Sequence, residues 1–248
     1  MPDRTLFYAP IHVTSGDIFQ ISGAEFNHII KVLRKSANDT IEVVNGTGDV
    51  IHATITEVKK DSVTCRAEEA NTLDTELPIQ VTLAVGLIKN QRYEWMAEKA
   101  TELGVTSIQP LQTDRVVRSG FRKDRLEKKI IAAMKQSERA VLPRIFEPVE
   151  LSEYLTNNPQ SHLVYASQNP EYPMLSNYCT QHNFEDITIL IGPEGGWSDA
   201  EFELFRKHDV LPVHLGRRRL RTETAAIAAI SQVAFLYESK QIQAEEMI

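Results

Sequence analysis

The period of the apolar positions changes about a third of the way along the chain. From Arg4 to about Asn71 they come in short alternating runs. Thr40-Ile41-Glu42-Val43-Val44 is answered by Val50 to Val58 across Asn45-Gly46-Thr47-Gly48. Asn-Gly between two alternating runs signals a β-hairpin. Ser62 to Ala67 follows as a third strand, and several short strands at this spacing predict a small β-barrel. One helix interrupts them. Phe26, Ile29, Ile30 and Leu33 form an i, i+3, i+4, i+7 stripe, with His28, Lys31, Arg34 and Lys35 on other faces.

Glu68 to Pro78 is polar and holds no long apolar run, so it marks a boundary. Residues 1–72 form one domain in this reading and 73–248 another. Beyond the boundary, strands alternate with helices. Ile79 to Leu87 is a strand, and Asn90 to Leu103 is a helix with Tyr93, Met96, Ala97, Ala100 and Leu103 on one face, closed by Gly104. Ser107 to Leu111 is the next strand, and a helix over Lys123 to Arg139 turns Leu126, Ile130, Ala133, Met134 and Ser137 inward. Ile145 to Val149 and Leu163 to Ala166 are further strands. The pattern is that of an α/β sheet.

The strand Ile187 to Ile191 is apolar at nearly every position, as a strand buried on both faces must be. It runs into Gly192-Pro193-Glu194-Gly195-Gly196-Trp197, and Ser198-Asp199-Ala200-Glu201 then spells a capping box ahead of Phe202, Leu204 and Phe205. Strand, glycine turn and helix bare backbone N–H groups at the carboxyl end of a sheet, where α/β folds bind ligands. Familiar nucleotide loops are excluded. Trp197 stands where a Walker loop needs lysine, and no G-x-G-x-x-G spacing occurs. A second short strand, Val210 to Gly216, leads into Arg217-Arg218-Arg219-Leu220-Arg221-Thr222-Glu223-Thr224-Ala225 and an alanine-rich helix reaching about Glu238.

Composition adds two points. The chain has 248 residues and is 42% hydrophobic, enough for a substantial core; no run reaches the length of a membrane span, and Met1-Pro2-Asp3-Arg4 lacks an apolar signal. Two separated cysteines, Cys65 and Cys179, suit neither a disulfide scaffold nor a zinc site, so a reduced, cytoplasmic setting is expected. The net charge of −7 speaks against a nucleic-acid partner until its distribution is considered. Between Gln112 and Arg144 ten Lys and Arg face four Asp and Glu, which fits a phosphate-tracking face on an acidic body or, alternatively, a solvated helix face. The seven histidines show no metal-ligand spacing, and no metal is expected.

Ile191-Gly192-Pro193-Glu194-Gly195-Gly196, taken with Leu215-Gly216-x-Arg218-x-Leu220-Arg221-Thr222-Glu223-Thr224-Ala225, resembles the RsmE family of SPOUT RNA methyltransferases. Glu98-Lys99-Ala100-Thr101-Glu102-Leu103-Gly104-Val105, Gln136-Ser137-x-Arg139 and His28-x-x-x-Val32-Leu33-Arg34 extend the likeness along the chain. It departs from the pattern at Lys135, where glutamate is common, and at Arg219, where isoleucine is usual. The resemblance implies an N-terminal PUA-like β-barrel and a C-terminal α/β-knot methyltransferase domain with a trefoil knot. It also implies a homodimer joined through the last helix, and S-adenosyl-L-methionine-dependent methylation of uridine N3 in 16S rRNA of the small ribosomal subunit.

On that resemblance the cofactor is held by Tyr165, Ala166 and Ser167, by Ile191, Gly192, Pro193, Glu194, Gly195 and Gly196, and by Leu215, Gly216, Leu220, Arg221, Thr222, Thr224 and Ala225. RNA contacts fall to His28, Lys31, Arg34, Arg115, Arg118, Arg122 and Arg139. A uridine imide is mostly protonated at neutral pH, so a carboxylate and a cation would each help. Arg221 is the expected cation and Glu194 the expected carboxylate. Glu223 is a second carboxylate, although its place in a first helical turn is equally explained by the helix dipole.

Overall fold

The computed structural model describes residues 4–116, 121–158 and 162–245. The chain forms two compact units, Met1–Glu76 with Ile131–Leu142, and Leu77–Ile130 with Pro143–Ile248.

The first unit holds β1 (Leu6–Tyr8), β2 (Ile18–Ser22), α1 (Gly23–Asn27), β3 (Thr40–Val44), β4 (Asp49–Val58) and β5 (Ser62–Thr72). The strands make one sheet in the order β1-β3-β4-β5-β2. The β3–β4 hairpin pairs Val44 with Val50 around a loop in which Gly46 and Gly48 take positive φ, longer than the two-residue turn that Asn-Gly favours. One core draws on every strand, from Phe7, Phe19 and Val43 to Ile55 and Val63, and is closed by Phe26 and Ile29.

Two features of this unit depart from the sequence reading. β5 continues five residues beyond Ala67 into the polar boundary stretch. Its last positions pair with Asp49–His52 through the backbone while their side chains face water, so the apolar pattern carries no trace of them. The helix also changes form. After α1 the chain continues as a π-helical turn, His28–Val32, in which the Leu33 amide bonds back to the His28 carbonyl at 3.0 Å. The wider turn rotates Leu33 off the stripe. Ile29 is fully buried, whereas Val32 and Leu33 are exposed.

The second unit is a sheet of seven strands in the order β12-β10-β11-β6-β7-β8, with β9 also on β7. These are β6 (Gln80–Gly86), β7 (Ser107–Gln112), β8 (Arg144–Ile145), β9 (Val149–Glu150), β10 (Leu163–Ser167), β11 (Asp186–Ile191) and β12 (Leu211–His214). Every named pairing is parallel. That explains the unbroken apolar runs of β6 and β11, which helices cover on both faces. The helices are α2 (Asn90–Glu102), α3 (Lys123–Gln136), α4 (Leu151–Asn157), α5 (Leu175–Gln181), α6 (Asp199–Lys207) and α7 (Thr222–Glu245). The expected strand at 145–149 is two short pieces, and α4 and α5 are too short for a readable period. Ser198 caps α6 in a full capping box with Glu201. Among the described residues no helix is long and apolar enough to cross a membrane, and no three His, Cys, Asp or Glu gather as metal ligands.

Candidate active site

Three neighbouring parallel strands, β12, β10 and β11, end side by side, and their following loops enclose a cavity of about 560 Å³. Its walls are Tyr165, Ala166 and Ser167 from the end of β10, Ile191 to Gly196 after β11, and Leu215, Gly216, Leu220, Arg221, Thr222 and Ala225 around the start of α7. All the residues expected to hold the cofactor meet here except Thr224.

Close packing dictates the glycines. A Cβ on Gly86, at the end of β6, would come within 2.8 Å of the Pro193 ring. One on Gly195 would meet Arg115 Cβ at 2.8 Å, and one on Gly192 would press the Trp197 indole at 3.1 Å. Gly196 adopts φ +70° and Gly216 φ +131°, values that side-chain-bearing residues avoid. Two side chains then lock the loops. Thr222 Oγ1 donates to the Gly192 carbonyl at 2.9 Å, tying the start of α7 to the turn after β11. Arg115 Nη1 donates to the Gly195 carbonyl at 3.2 Å. Behind the turn, Tyr165 stacks on Phe205 with ring centroids 4.5 Å apart, and Trp197 meets the same ring edge-on.

The charged groups are arranged around Arg92, on the first turn of α2. Its guanidinium pairs with Glu194, and its Nε lies 3.8 Å from Glu223 Oε1. One arginine thus bridges the carboxylates of the two loop motifs. Glu223 is buried, at 6% exposure, and its Oε2 has no hydrogen-bond partner among the described residues. Arg221 is exposed and forms no ion pair among the described residues, leaving its charge available to a ligand. Arg218 and Arg219 also line the cavity.

A second pocket, of about 580 Å³, adjoins the first and shares Arg221 with it. Arg92, Glu94, Trp95 and Glu98 of α2 line it, with Arg125 and Lys129 of α3 and Glu223 and Thr224 of α7. Thr224 therefore faces this pocket rather than the first cavity. A helix turns about 100° per residue, so Thr222 and Ala225 share a face that Thr224 leaves.

Residues 75–234 match the RNA methyltransferase domain family, and residues 21–68 match the RNA methyltransferase PUA domain family. The ribosomal RNA small subunit methyltransferase E of Synechocystis sp. is 32% identical over 239 residues, 94% of this chain and 78% of that protein. Its counterpart from Rickettsia conorii is 34% identical, over 84% of this chain and 86% of that protein. A crystal structure of ribosomal RNA small subunit methyltransferase E from Neisseria gonorrhoeae, bound to S-adenosyl methionine, superposes with a TM-score of 0.85 at 30% identity, covering 94% of this chain and 98% of that one. The chain belongs to the ribosomal RNA small subunit methyltransferase E family. Its α/β architecture with a PUA-like domain is that of the family.

Within this methyltransferase the residues expected to touch RNA fall into three groups. Lys31 and Arg34 are exposed, Arg34 at φ +56°, while His28 is half-buried with its ring edge-on to Phe7. Arg115 and Arg122 are exposed, but Arg122 is paired with Asp124 and Arg115 reaches the glycine turn. Arg139 is 2% exposed, with Nε 3.0 Å from Glu76 Oε1, so it does not present its charge at the surface. Arg118 lies outside the described residues. The basic segment is also more balanced than its composition suggests. Arg125 pairs with Glu94 at 2.9 Å, Lys123 with Glu147 at 3.5 Å, and Lys129 with Glu98 at 3.7 Å.

The sequence reading missed Arg92. Its partners lie 102 and 131 positions away along the chain, and on α2 it falls outside the apolar face that marks the helix.

Proposed function

We propose that this methyltransferase transfers a methyl group from S-adenosylmethionine to N3 of a uridine in the 16S rRNA of the small ribosomal subunit. The observation that carries the reading is the cavity at the ends of β10, β11 and β12, where both loop motifs converge.

The residues present fit the cofactor. The volume suits a nucleoside-sized ligand. Gly192, Gly195, Gly196 and Gly216 bring backbone close, Ile191, Leu215, Leu220 and Ala225 offer apolar walls, and Arg218 and Arg219 stand ready for a carboxylate. Glu194 in the wall favours a positively charged sulfonium. When bound, S-adenosylmethionine supplies an electrophilic methyl group. The chain's own contribution is to orient the base, exclude water and stabilise the charge left when the imide loses its proton. Arg221 is the cation for that charge, and Glu194 is the carboxylate of the cofactor side.

The two domains divide the work. Residues 1–72 act as the PUA-like RNA-binding domain and 73–248 as the methyltransferase domain. β12 lies beside β10, yet the loop after it bonds to Gly192 at the end of β11, a crossing that supports the knotted threading. Phe235 on α7, 69% exposed, supports burial of that helix in a homodimer. The enzyme works in the cytoplasm and needs no metal.

Calorimetric titration with S-adenosylmethionine beside an Ala225→Phe variant, followed by mass spectrometry of small-subunit RNA treated with the enzyme, tests the reading. Binding lost in the variant, with one methyl group gained on a uridine base by the parent, is the expected result. Binding unaffected by Ala225→Phe would remove the cofactor from this cavity. A methyl group found on ribose or on another base would overturn the substrate assignment.

A further inference from the structure

The pocket beside the cofactor cavity has a wall that the cofactor does not explain. Glu223 lines it, and one of its carboxylate oxygens is buried without a hydrogen-bond partner among the described residues. A buried acceptor left unpaired is unfavourable, so the position calls for a donor beyond those that the described residues supply. Arg92 Nε lies 3.8 Å from Oε1, and Arg221 lines both cavities. Arg92 uses one N–H on Glu194 and keeps others free, because a guanidinium carries five. Trp95, 47% exposed, adds a flat aromatic face to the same pocket.

We infer that this pocket receives the target uracil, and that Glu223 Oε2 accepts the proton of its N3–H. The inference rests on the methyltransferase reading above and names the base-binding part of that site. An imide edge presents acceptor, donor, acceptor. Glu223, with Arg92 and Arg221 lining the same pocket, supplies the complementary set of one acceptor and two donors. Cytosine, which carries an acceptor at N3 and a donor at N4, meets the wrong groups at two of the three positions. Trp95 supplies the stacking surface that an unstacked base requires.

The step balances without any further reactant. The N3–H bond breaks with its electron pair left on N3 and its proton on Glu223. That pair forms the N3–CH3 bond as the C–S bond of the sulfonium breaks, the second pair remaining on sulfur as a neutral thioether. The proton leaves Glu223 for solvent before the next turnover. Arg221 offsets the charge that develops on the imide oxygens.

The test compares the parent with Glu223→Gln and Trp95→Ala on small ribosomal subunits carrying an unmodified target, in single-turnover reactions across pH, with cofactor affinity measured by calorimetry. Glu223→Gln is expected to keep its cofactor affinity within a few-fold and to slow methylation by roughly 100-fold or more at neutral pH. Its rate should climb about tenfold per pH unit where the parent has levelled off, because the proton must then go to solvent. Target RNA containing 5-fluorouridine, whose imide is more acidic, should recover much of the loss. Trp95→Ala, at an exposed position, should weaken substrate binding roughly tenfold to a hundredfold with a smaller effect on the chemical step. A Glu223→Gln enzyme with the parent's rate and pH profile would overturn the inference. If that variant fails to bind cofactor because it does not fold, Trp95→Ala decides, and an unchanged KM rejects the pocket. Failure of the parent to methylate a uridine would sink the underlying reading, and the inference with it.

Discussion

Thr222 Oγ1 donates a 2.9 Å hydrogen bond to the carbonyl of Gly192, thirty positions earlier in the chain. Thr222 is 6% exposed, so water does not take over when the hydroxyl is removed. The bond joins the start of α7 to the turn after β11, two of the three segments that wall the cavity at the ends of β10, β11 and β12.

Replacing Thr222 by valine keeps the shape and removes the donor. Leaving a fully buried carbonyl without its hydrogen bond costs about 1–3 kcal/mol, and the half-buried Gly192 carbonyl falls towards the lower end. Thermal denaturation should show a melting temperature lower by several degrees, and calorimetry a larger drop in cofactor affinity than at a surface control. Unchanged affinity in a folded Thr222→Val protein would mean that the two loops are set independently.

Glu194 carries a different consequence. A sulfonium donor is cationic and its thioether product is neutral, so a carboxylate in the cavity wall should favour donor over product. Arg92 already offsets part of that charge, and the Glu194 side chain is 35% exposed, so the preference is modest. Glu194→Gln should reduce the ratio of S-adenosylmethionine to S-adenosylhomocysteine affinity by a few-fold. Calorimetric titration with both ligands reads that ratio directly. If it stays the same, Glu194 does not face the sulfonium.

The sequence disclosed the backbone of this site better than its charges. Gly192, Gly195, Gly196 and Gly216 are recognisable because a strand, a glycine turn and a helix N-terminus follow one another within a few positions. Arg92 meets Glu223 where α2 packs against α7 and Glu194 in the turn after β11, a convergence that no local pattern encodes. Arg139 illustrates the opposite failure. Counted as charge within a basic segment it belongs to a surface, yet folding sends it inward to Glu76. The exposed end of β5 and the π-helical turn after α1 were unreadable for a related reason. The end of β5 rests on backbone hydrogen bonds whose side chains carry no apolar signal, and the π-helical turn carries an apolar stripe that an ordinary α-helix would show equally well.

The two cysteines offer a linkage test. Burial pushes the thiols of Cys65 and Cys179 up from 9.0 to about 11 each. A raised folded-state pKa means that the unfolded chain loses these protons first. The thiols' contribution is therefore whole below about pH 9 and is lost as pH rises towards 11. A tenfold change in acidity corresponds to about 1.4 kcal/mol, so each thiol should remove roughly 2–3 kcal/mol across that window. Denaturant unfolding at pH 8 and pH 10.5 should show a smaller loss of stability in Cys65→Ala than in the parent. Parallel pH dependences would show that the buried thiols do not contribute.

Arg139 and the pair Lys31 and Arg34 should separate folding from RNA binding. Arg139 is buried against Glu76; losing one partner of a fully buried pair costs about 3–5 kcal/mol, and here less, because the Glu76 side chain is 26% exposed. Arg139→Gln should lower the denaturation midpoint sharply while leaving the salt dependence of RNA binding unchanged. Lys31 and Arg34 are exposed on the first unit, and neither holds an ion pair among the described residues. Arg34 sits at φ +56°, so asparagine, which tolerates that backbone, is the better replacement. Lys31→Gln with Arg34→Asn should leave stability nearly untouched. Each phosphate that is no longer neutralised flattens the plot of log K against log salt by about 0.7–0.9, so the double variant should flatten it by roughly 1.5 if both residues meet phosphate. A slope that moves with Arg139→Gln and not with the double variant would assign the RNA contact to the wrong face of the first unit. A slope that moves with neither would leave the exposed Arg115 and Arg122 of the second unit as the groups that track the backbone.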